Sequence, residues 1–594
     1  MTTIVPSGRR RRLLVVATTA VLVGVAAVAA GSSRAAGGYP TAPATKKLQR
    51  GGTITVLSAG DVDHIDPGQA YYSFTYEVTY ATQRPLLAFR PKSVQQYPDL
   101  AAAMPKVSSD GRTVTVHIKK GVRFSPPVNR AVTSADVKYA IERGFDTSVA
   151  NGYAAAYFGD LVGAPKSPAH RIPSIRGIQT PNSTTLVFKL QHPSGVFVGA
   201  LGLPMTAPVP ASYARKFDNQ TQSTYGLHQV ATGPYMIKND ASGNINGVGY
   251  QPNKLIELVR NPNWSAKTSW RPAYANQIDF KEGFQDPTVL TRQILSGSAD
   301  ANGDTPPPPA ELRSIMSNSS EKGQLFFTPT GGSRYIALNT RKAPFNRFDV
   351  RKAVAYVLDR NALRLTRGGA IDGRIATHFI DPSFKNLGFT QAGGFSFNPF
   401  PSKNFSGNLG LAKSWMRKAG FRNGLYTGPE VTMVSDNTPP GSNTAQVVAA
   451  DLAKIGIKVK TVSVTHATMY TRFCGVPKNE PNICPNVGWL PDFHQPQTVL
   501  DVTFNGKNIT SVNNSNWPLL NVRSINNEMN RAERIVNPSA RYELWGKIDQ
   551  QVTRTAAAIP WLWEQYPSLF SKRVTPAPEL WNGGGPDVTF MAVK

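Results

Sequence analysis

The chain has 594 residues, a formal net charge of +28, 40% hydrophobic residues and two cysteines. That hydrophobic content supports a sizeable core and excludes global disorder, and at ~150 residues per domain the length holds several domain-sized units. Two cysteines exclude a disulfide-dense scaffold and any four-cysteine zinc site, and a single long apolar run excludes a multi-span transporter.

Arg9, Arg10, Arg11 and Arg12 precede the apolar run 13–30, and small residues follow at Gly31, Ser32, Ser33, Ala35 and Ala36. A basic head, an apolar stretch and a small-residue exit are the layout of a secretory signal. Residues 1–36 are therefore expected to be a signal peptide or a retained N-terminal anchor, with cleavage the favoured reading. Residues 37–50 read as a linker. Residues 1–50 carry eight basic groups and no acids, so 57 of the 65 Lys and Arg remain against 37 Asp and Glu, a net +20 on the rest. Outside the cytoplasm, Cys474 and Cys484 can close a short disulfide loop; two unpaired thiols are the alternative.

Beyond residue 50 the pattern alternates between strands and helices. Thr53 to Leu57 alternates as a strand, and Arg112 to Ile118 does so after the Asp110-Gly111 turn, which predicts a hairpin. A helix is expected to open at Ser134, with Thr133 or Ser134 as its cap. Residues 184–190 and 255–260 are further strands, and 305–310, with four consecutive prolines, reads as a rigid exposed connection. Residues 335–339 form a strand, 349–361 one helix, and 411–419 a helix ending at Gly420. Residues 431–435, 444–454 and 458–464 make a β-α-β unit with parallel strands. Two helices, 525–535 and 540–553, precede a last apolar strand at 559–563.

No G-x-S-x-G elbow, P-loop or H-E-x-x-H is present, and the eight histidines lack metal-ligand spacing, so the motifs of several enzyme classes are missing. Past residue 50 the Lys and Arg residues are dispersed rather than clustered, which argues against nucleic acid. An anionic lipid or wall surface is the expected partner for that charge.

Several blocks, taken in order, resemble one family. They are Ile65-Asp66-Pro67; Ser109-Asp110-Gly111-Arg112-Thr113; Lys120-Gly121-Val122-Arg123-Phe124; Thr133-Ser134-Ala135-Asp136-Val137; and Thr232-Gly233-Pro234-Tyr235. Arg260-Asn261-Pro262-Asn263-Trp264, Leu295-Ser296-Gly297 with Asp300, Val350-Arg351-Lys352-Ala353, and Gly488-Trp489 with Asp492-Phe493 follow. Together they resemble the extracytoplasmic solute-binding proteins of ABC importers, family 5, the peptide/nickel type. The match spans about 51–575. This chain departs from the family at Ser125-Pro126-Pro127 and at Asn346-Arg347-Phe348, and it has no lipobox cysteine after the apolar run.

The resemblance implies an α/β, two-lobed periplasmic-binding-protein-like fold of the large class, with a hinge and a central ligand cleft. Lobe I would span 51–334 with an inserted subdomain at about 75–205, lobe II 335–558, and 559–594 would return to lobe I. The strands at 335–339 and 559–563 supply two crossovers. It further implies an oligopeptide or similar small solute as ligand, permease subunits and an ATPase as partners, a monomer, no cofactor, and a place outside the cytoplasmic membrane. A nickel chelate, an oligosaccharide or a sensory role are the alternatives. By resemblance, Asp492 would pair with a peptide's ammonium, Trp489 would wall a side chain, Asp61 would be a ligand-contacting acid, and Tyr157, near Tyr153, would line the pocket. A loop-capping Asp492, a core Trp489 and a surface Asp61 are the structural alternatives. His378 and His466 are weaker nickel candidates, and no metal site is expected.

Overall fold

The computed structural model describes residues 48–594 except 92, 168, 388–395, 512, 578, 579 and 581–584, so the expected signal segment lies outside the described residues. Three parallel strands, β1 (Thr53–Leu57), β2 (Gln277–Lys281) and β3 (Ala301–Asn302), stand side by side in the order β3-β1-β2. Antiparallel strands Leu255–Arg260 and Tyr235–Ile237 extend this first sheet. Ile54 and Val56 alternate into its core with Ile256, Leu258, Ile278 and Phe280, the period-2 burial of a half-buried sheet.

The second sheet is built on two long strands, β4 (Leu325–Leu338) and β8 (Ala558–Leu569), which pair antiparallel. Beside β4 lie β7 (Ile483–Trp489), β5 (Val431–Asp436) and β6 (Val459–Val464), the last two parallel. The β-α-β unit expected at 431–464 forms, with helix Gly441–Ala453 as its crossover. Strands β4 and β8 begin and end in different cores. Leu325, Phe327 and Leu569 pack with Leu57, whereas Tyr335 and Ala337 pack with Val434 and Trp489. Two strands crossing between two cores make a paired hinge.

The ladder between β4 and β8 skips from Pro329–Gln565 to Ser333–Trp563. Gly331, at φ +73°, sits inside that skip, and a Cβ on Gly332 would lie 2.5 Å from the Trp489 carbonyl oxygen. Glycine is required where the hinge strand presses against the end of β7.

A smaller antiparallel sheet, with Thr113–His117 and Thr185–Lys189 at its centre, carries its own core of Val114, Val116, Phe124, Phe158 and Phe188. The helix Ser134–Arg143 begins where the sequence predicts. The Thr133 side chain and the Asp136 carboxylate close a capping box, with Asp136 Oδ2 accepting the Thr133 N–H at 2.8 Å.

Three expectations need correction. The single helix expected at 349–361 is two, Phe348–Val357 and Arg360–Leu365, because Asp359 breaks the run and caps the second by accepting the Ala362 N–H. The proline run is not wholly a connection: Pro309 is the first residue of helix Pro309–Ser317, where its missing N–H costs nothing. The strands expected at 335–339 and 559–563 are each the inner part of a longer hinge strand.

Cys474 and Cys484 form a disulfide that ties the helical turn Met469–Cys474 to β7. Replacing both cysteines by alanine is expected to cost about 2–3 kcal/mol from the released ten-residue loop. Urea unfolding reads it, and an unchanged midpoint would contradict it.

Candidate functional site

Strand β7 ends at Trp489, and the segment after it leaves the second sheet for the small-sheet core, where Phe493 is buried against residues such as Phe197 and Leu201. The turn is pinned by Trp489 Nε1 donating to the Thr498 carbonyl at 2.7 Å and Thr498 Oγ1 donating to the Phe493 carbonyl at 2.8 Å. Asp492 is thereby carried to the boundary between the two cores and is 8% exposed. Tyr157, from the short helix Ala154–Phe158, donates its hydroxyl to Asp492 Oδ2.

Aromatic side chains surround this carboxylate. Tyr71 stacks on Tyr153 with ring centres 5.0 Å apart and meets Trp489 edge-on at 6.4 Å. The Tyr76 and Tyr153 hydroxyls are 2.5 Å apart. Trp517 stands 5.9 Å from Trp489, and Phe493 lies 5.1 Å from Tyr157. Burial and the charge of Asp492 push the hydroxyls of Tyr71, Tyr76, Tyr153 and Tyr157 well above the ordinary tyrosine range, so all four stay neutral donors.

Asp492 itself is pushed up to about 7 by burial, which the Tyr157 hydrogen bond only partly offsets. Among the described residues no Arg, Lys or His pairs with it. An isolated buried carboxylate is costly, so this group either holds a proton or awaits a cation.

A second polar cluster lies on the same edge of the second sheet and is internally balanced. Glu564 takes Arg334 Nε at 2.9 Å and Arg367 Nη1 at 2.8 Å. Asp436, at the end of β5, takes His466 at 2.7 Å and Asn486 Nδ2 at 2.8 Å. Burial and the Glu564 charge push Asp372 up to about 7. In this cluster the bases already have acids, which sets Asp492 apart.

The structure thus brings Asp492, Trp489 and Tyr157 together and places Asp61 elsewhere. Asp61 lies past the end of β1, where its Oδ2 accepts from the Tyr250 hydroxyl at 2.9 Å and the Asn253 N–H at 2.8 Å. His378 is buried and bonded to Asp549 at 2.7 Å, and His466 is taken by Asp436. Among the described residues no group of three His, Cys, Asp or Glu could hold a metal ion. The sequence reading missed Tyr71, Tyr76 and Trp517. Its available signal was Tyr153 and Tyr157, one helical turn apart.

Two α/β lobes joined by paired crossing strands, with a buried acid in an aromatic setting at their boundary, define a two-lobed solute-binding protein. The sequence pattern of the bacterial extracellular solute-binding proteins, family 5 (middle region), matches residues 95–511, and the chain belongs to this family. It is similar to the heme-binding protein A of Haemophilus influenzae, 24% identical over 80% of each chain. It is similar also to the glutathione-binding protein GsiB of Escherichia coli, 23% identical over 79% of this chain and 81% of that one. Among solved structures it resembles the clavulanic acid biosynthesis oligopeptide binding protein 2, with a TM-score of 0.79 and 25% identity over 92% of this chain and 96% of that one. It shares its fold with the DppA protein of Helicobacter pylori in complex with the peptide STSA, with a TM-score of 0.74 and 18% identity over 92% and 98%. Family 5 proteins are extracytoplasmic, and no described helix is long and apolar enough to cross a membrane.

Proposed function

We propose that this chain is the ligand-capturing component of an ABC importer and binds oligopeptides through their free amino terminus. The carrying observation is Asp492, buried at the lobe boundary with a hydroxyl donor and, among the described residues, no basic partner. A peptide ammonium would supply the missing charge, and the rings of Trp489 and Tyr71 would pack beside it. In this reading lobe I runs over 51–334 and lobe II over 335–558, with 559–594 returning to lobe I. Closure stabilised by the ligand's preference for the closed form would present the complex to the permease. Solved relatives of the same fold that hold peptides, the DppA protein of Helicobacter pylori and the OppA protein of Haemophilus influenzae, support this reading.

Native mass spectrometry of the purified protein tests the ligand class. Co-purified peptides are expected, and a sugar or a metal chelate in their place would sink the assignment. Calorimetry with paired peptides tests the site. Free-amine peptides are expected to bind at least about a hundredfold more tightly than their N-acetylated forms, as for a desolvated charge pair. Equal affinities would remove Asp492 from the role.

A further inference from the structure

The parallel strands of the first sheet end on the edge that faces the second lobe. Beside that edge, Ile371 packs against the cluster containing Leu57 and Phe284, and a Cβ on Gly368 would lie 3.5 Å from Pro309. In open α/β sheets, ligands gather beyond the carboxyl ends of such strands. Here each of three neighbouring strand ends delivers an acid: Asp61 after β1, Glu282 directly after β2 and Asp304 after β3.

Glu282 marks this group as more than a solvated acidic patch. It is 7% exposed, and among the described residues no donor reaches its Oε1 or Oε2. The side-chain charges acting on it are those of Asp61 and Asp304, both negative, and its carboxyl lies within hydrogen-bonding range of Asp61. Asp61 is also held by Tyr250, and Asp304 by Thr305 Oγ1 at 2.7 Å and the Ala59 N–H at 3.2 Å. Lys254 and Lys281, the flanking lysines, are exposed and form no ion pair with it. On a chain of net charge +28, these three strand ends bring acids together, and among the described residues no base pairs with any of them.

The segment from Asp61 also leads to the first site. Asp63 accepts the Tyr71 N–H at 2.8 Å, and Tyr71 stands beside Asp492. Asp61 and Asp63 are two residues apart, so at most about 7 Å of chain separates Asp61 from the tyrosine cluster's support.

We infer that Asp61, Glu282 and Asp304 form a second cation subsite, which takes the ammonium or guanidinium of a ligand's basic side chain while Asp492 takes the main-chain ammonium. This rests on the peptide-binding reading and narrows the substrate class to basic peptides. Without a ligand Glu282 holds a proton, because burial and the neighbouring negative charges of Asp61 and Asp304 push its carboxyl up to about 9. An entering cation replaces that proton, which leaves to solvent.

The test is titration calorimetry of the full chain, freed of co-purified ligand, in phosphate and in Tris at pH 7.5. The probes are trialanine, Ala-Lys-Ala, Ala-Arg-Ala and the bare diamine cadaverine. Both basic peptides are expected to bind at least about tenfold more tightly than trialanine, an ordinary gain for a buried charge pair. They are expected to release up to one proton more. Glu282→Gln and Asp304→Asn are expected to bring the ratio of affinities towards one, and Glu282→Gln is expected to abolish the extra proton. If trialanine binds and the basic peptides gain nothing, this subsite falls while peptide binding stands. If cadaverine binds with proton release and no peptide does, the subsite stands and the peptide reading falls. If nothing binds, or if calcium or zinc alone releases the proton, the subsite is overturned.

Discussion

Asp492→Asn is expected to stabilise the ligand-free protein above pH 7 and, in the same variant, to remove its preference for free-amine peptides. The sign follows from where the proton sits. Burial pushes the folded-state carboxyl up to about 7, whereas an unfolded aspartate titrates near 3.9. Between those values the folded chain holds more protons than the unfolded one, so stability declines as pH rises from about 4 to about 7. A three-unit shift corresponds to a penalty of up to about 4 kcal/mol, complete above pH 7 and absent below pH 4. Asparagine keeps the shape and the acceptor for Tyr157 without that penalty. Thermal unfolding is therefore expected to show the variant above wild type at pH 8 and level with it at pH 4. Coincident curves at pH 8 would refute the account. Ligand binding follows the opposite slope: a cation must displace the proton, so wild-type affinity is full above pH 7 and falls about tenfold per unit below it. A residue that weakens the empty protein and captures the ligand is the trade expected of a binding site built before its ligand arrives.

Local signals carried much of the fold. The β-α-β unit at 431–464 was legible because two short runs rich in valine and threonine flank a helical run bounded by turn residues. The cap at Thr133 was legible because Asp136 stands three residues on. What stayed hidden was set by distant partners. β4 carries Pro329, Gly331 and Gly332, which read as breakers, yet pairing with β8 on both sides of the skip carries the strand through them. Asp359 reads as one more helical residue in the sequence, whereas its side chain caps the next helix. At the site, Asp492 and Trp489 were legible from a family pattern within one segment. The donor to Asp492 comes from 335 residues away, and no sequence period records such a contact. Glu282 was missed for a related reason: its isolation is a property of the three strand ends that surround it, and a lone acid after a strand resembles a solvated one.

Arg143→Ala is expected to cost about 3–5 kcal/mol, the range for exposing a buried charge to no partner. Arg143 is fully buried at the end of helix Ser134–Arg143 and clamps two acids. Its Nη1 and Nη2 reach Asp66 at 2.8 and 2.7 Å, and its Nε and Nη2 reach Asp218 at 2.9 and 2.5 Å. The Tyr225 ring lies 5.0 Å from the guanidinium. This explains the Ile65-Asp66-Pro67 block physically: its acid is a structural anchor. Asp66 also accepts the Gly68 N–H at 2.8 Å, and its carbonyl accepts those of Gln69 and Ala70 at 2.9 Å. The turn so fixed delivers Tyr71 to its place beside Asp492. Arginine holds Asp218 below the usual carboxylate range, so its contribution is present at neutral pH and lost as pH falls through the acid range. The alanine variant is expected to be weakest against wild type at pH 7 and to recover part of the gap as pH falls and the arginine's hold on Asp218 is lost. Arg143→Lys keeps the charge without the two-sided fork, so an intermediate loss is expected from it. Urea unfolding at the two pH values measures all three chains. A loss below about 1 kcal/mol for alanine would place the site among ordinary surface positions and would leave the ligand-facing turn without the anchor assigned to it.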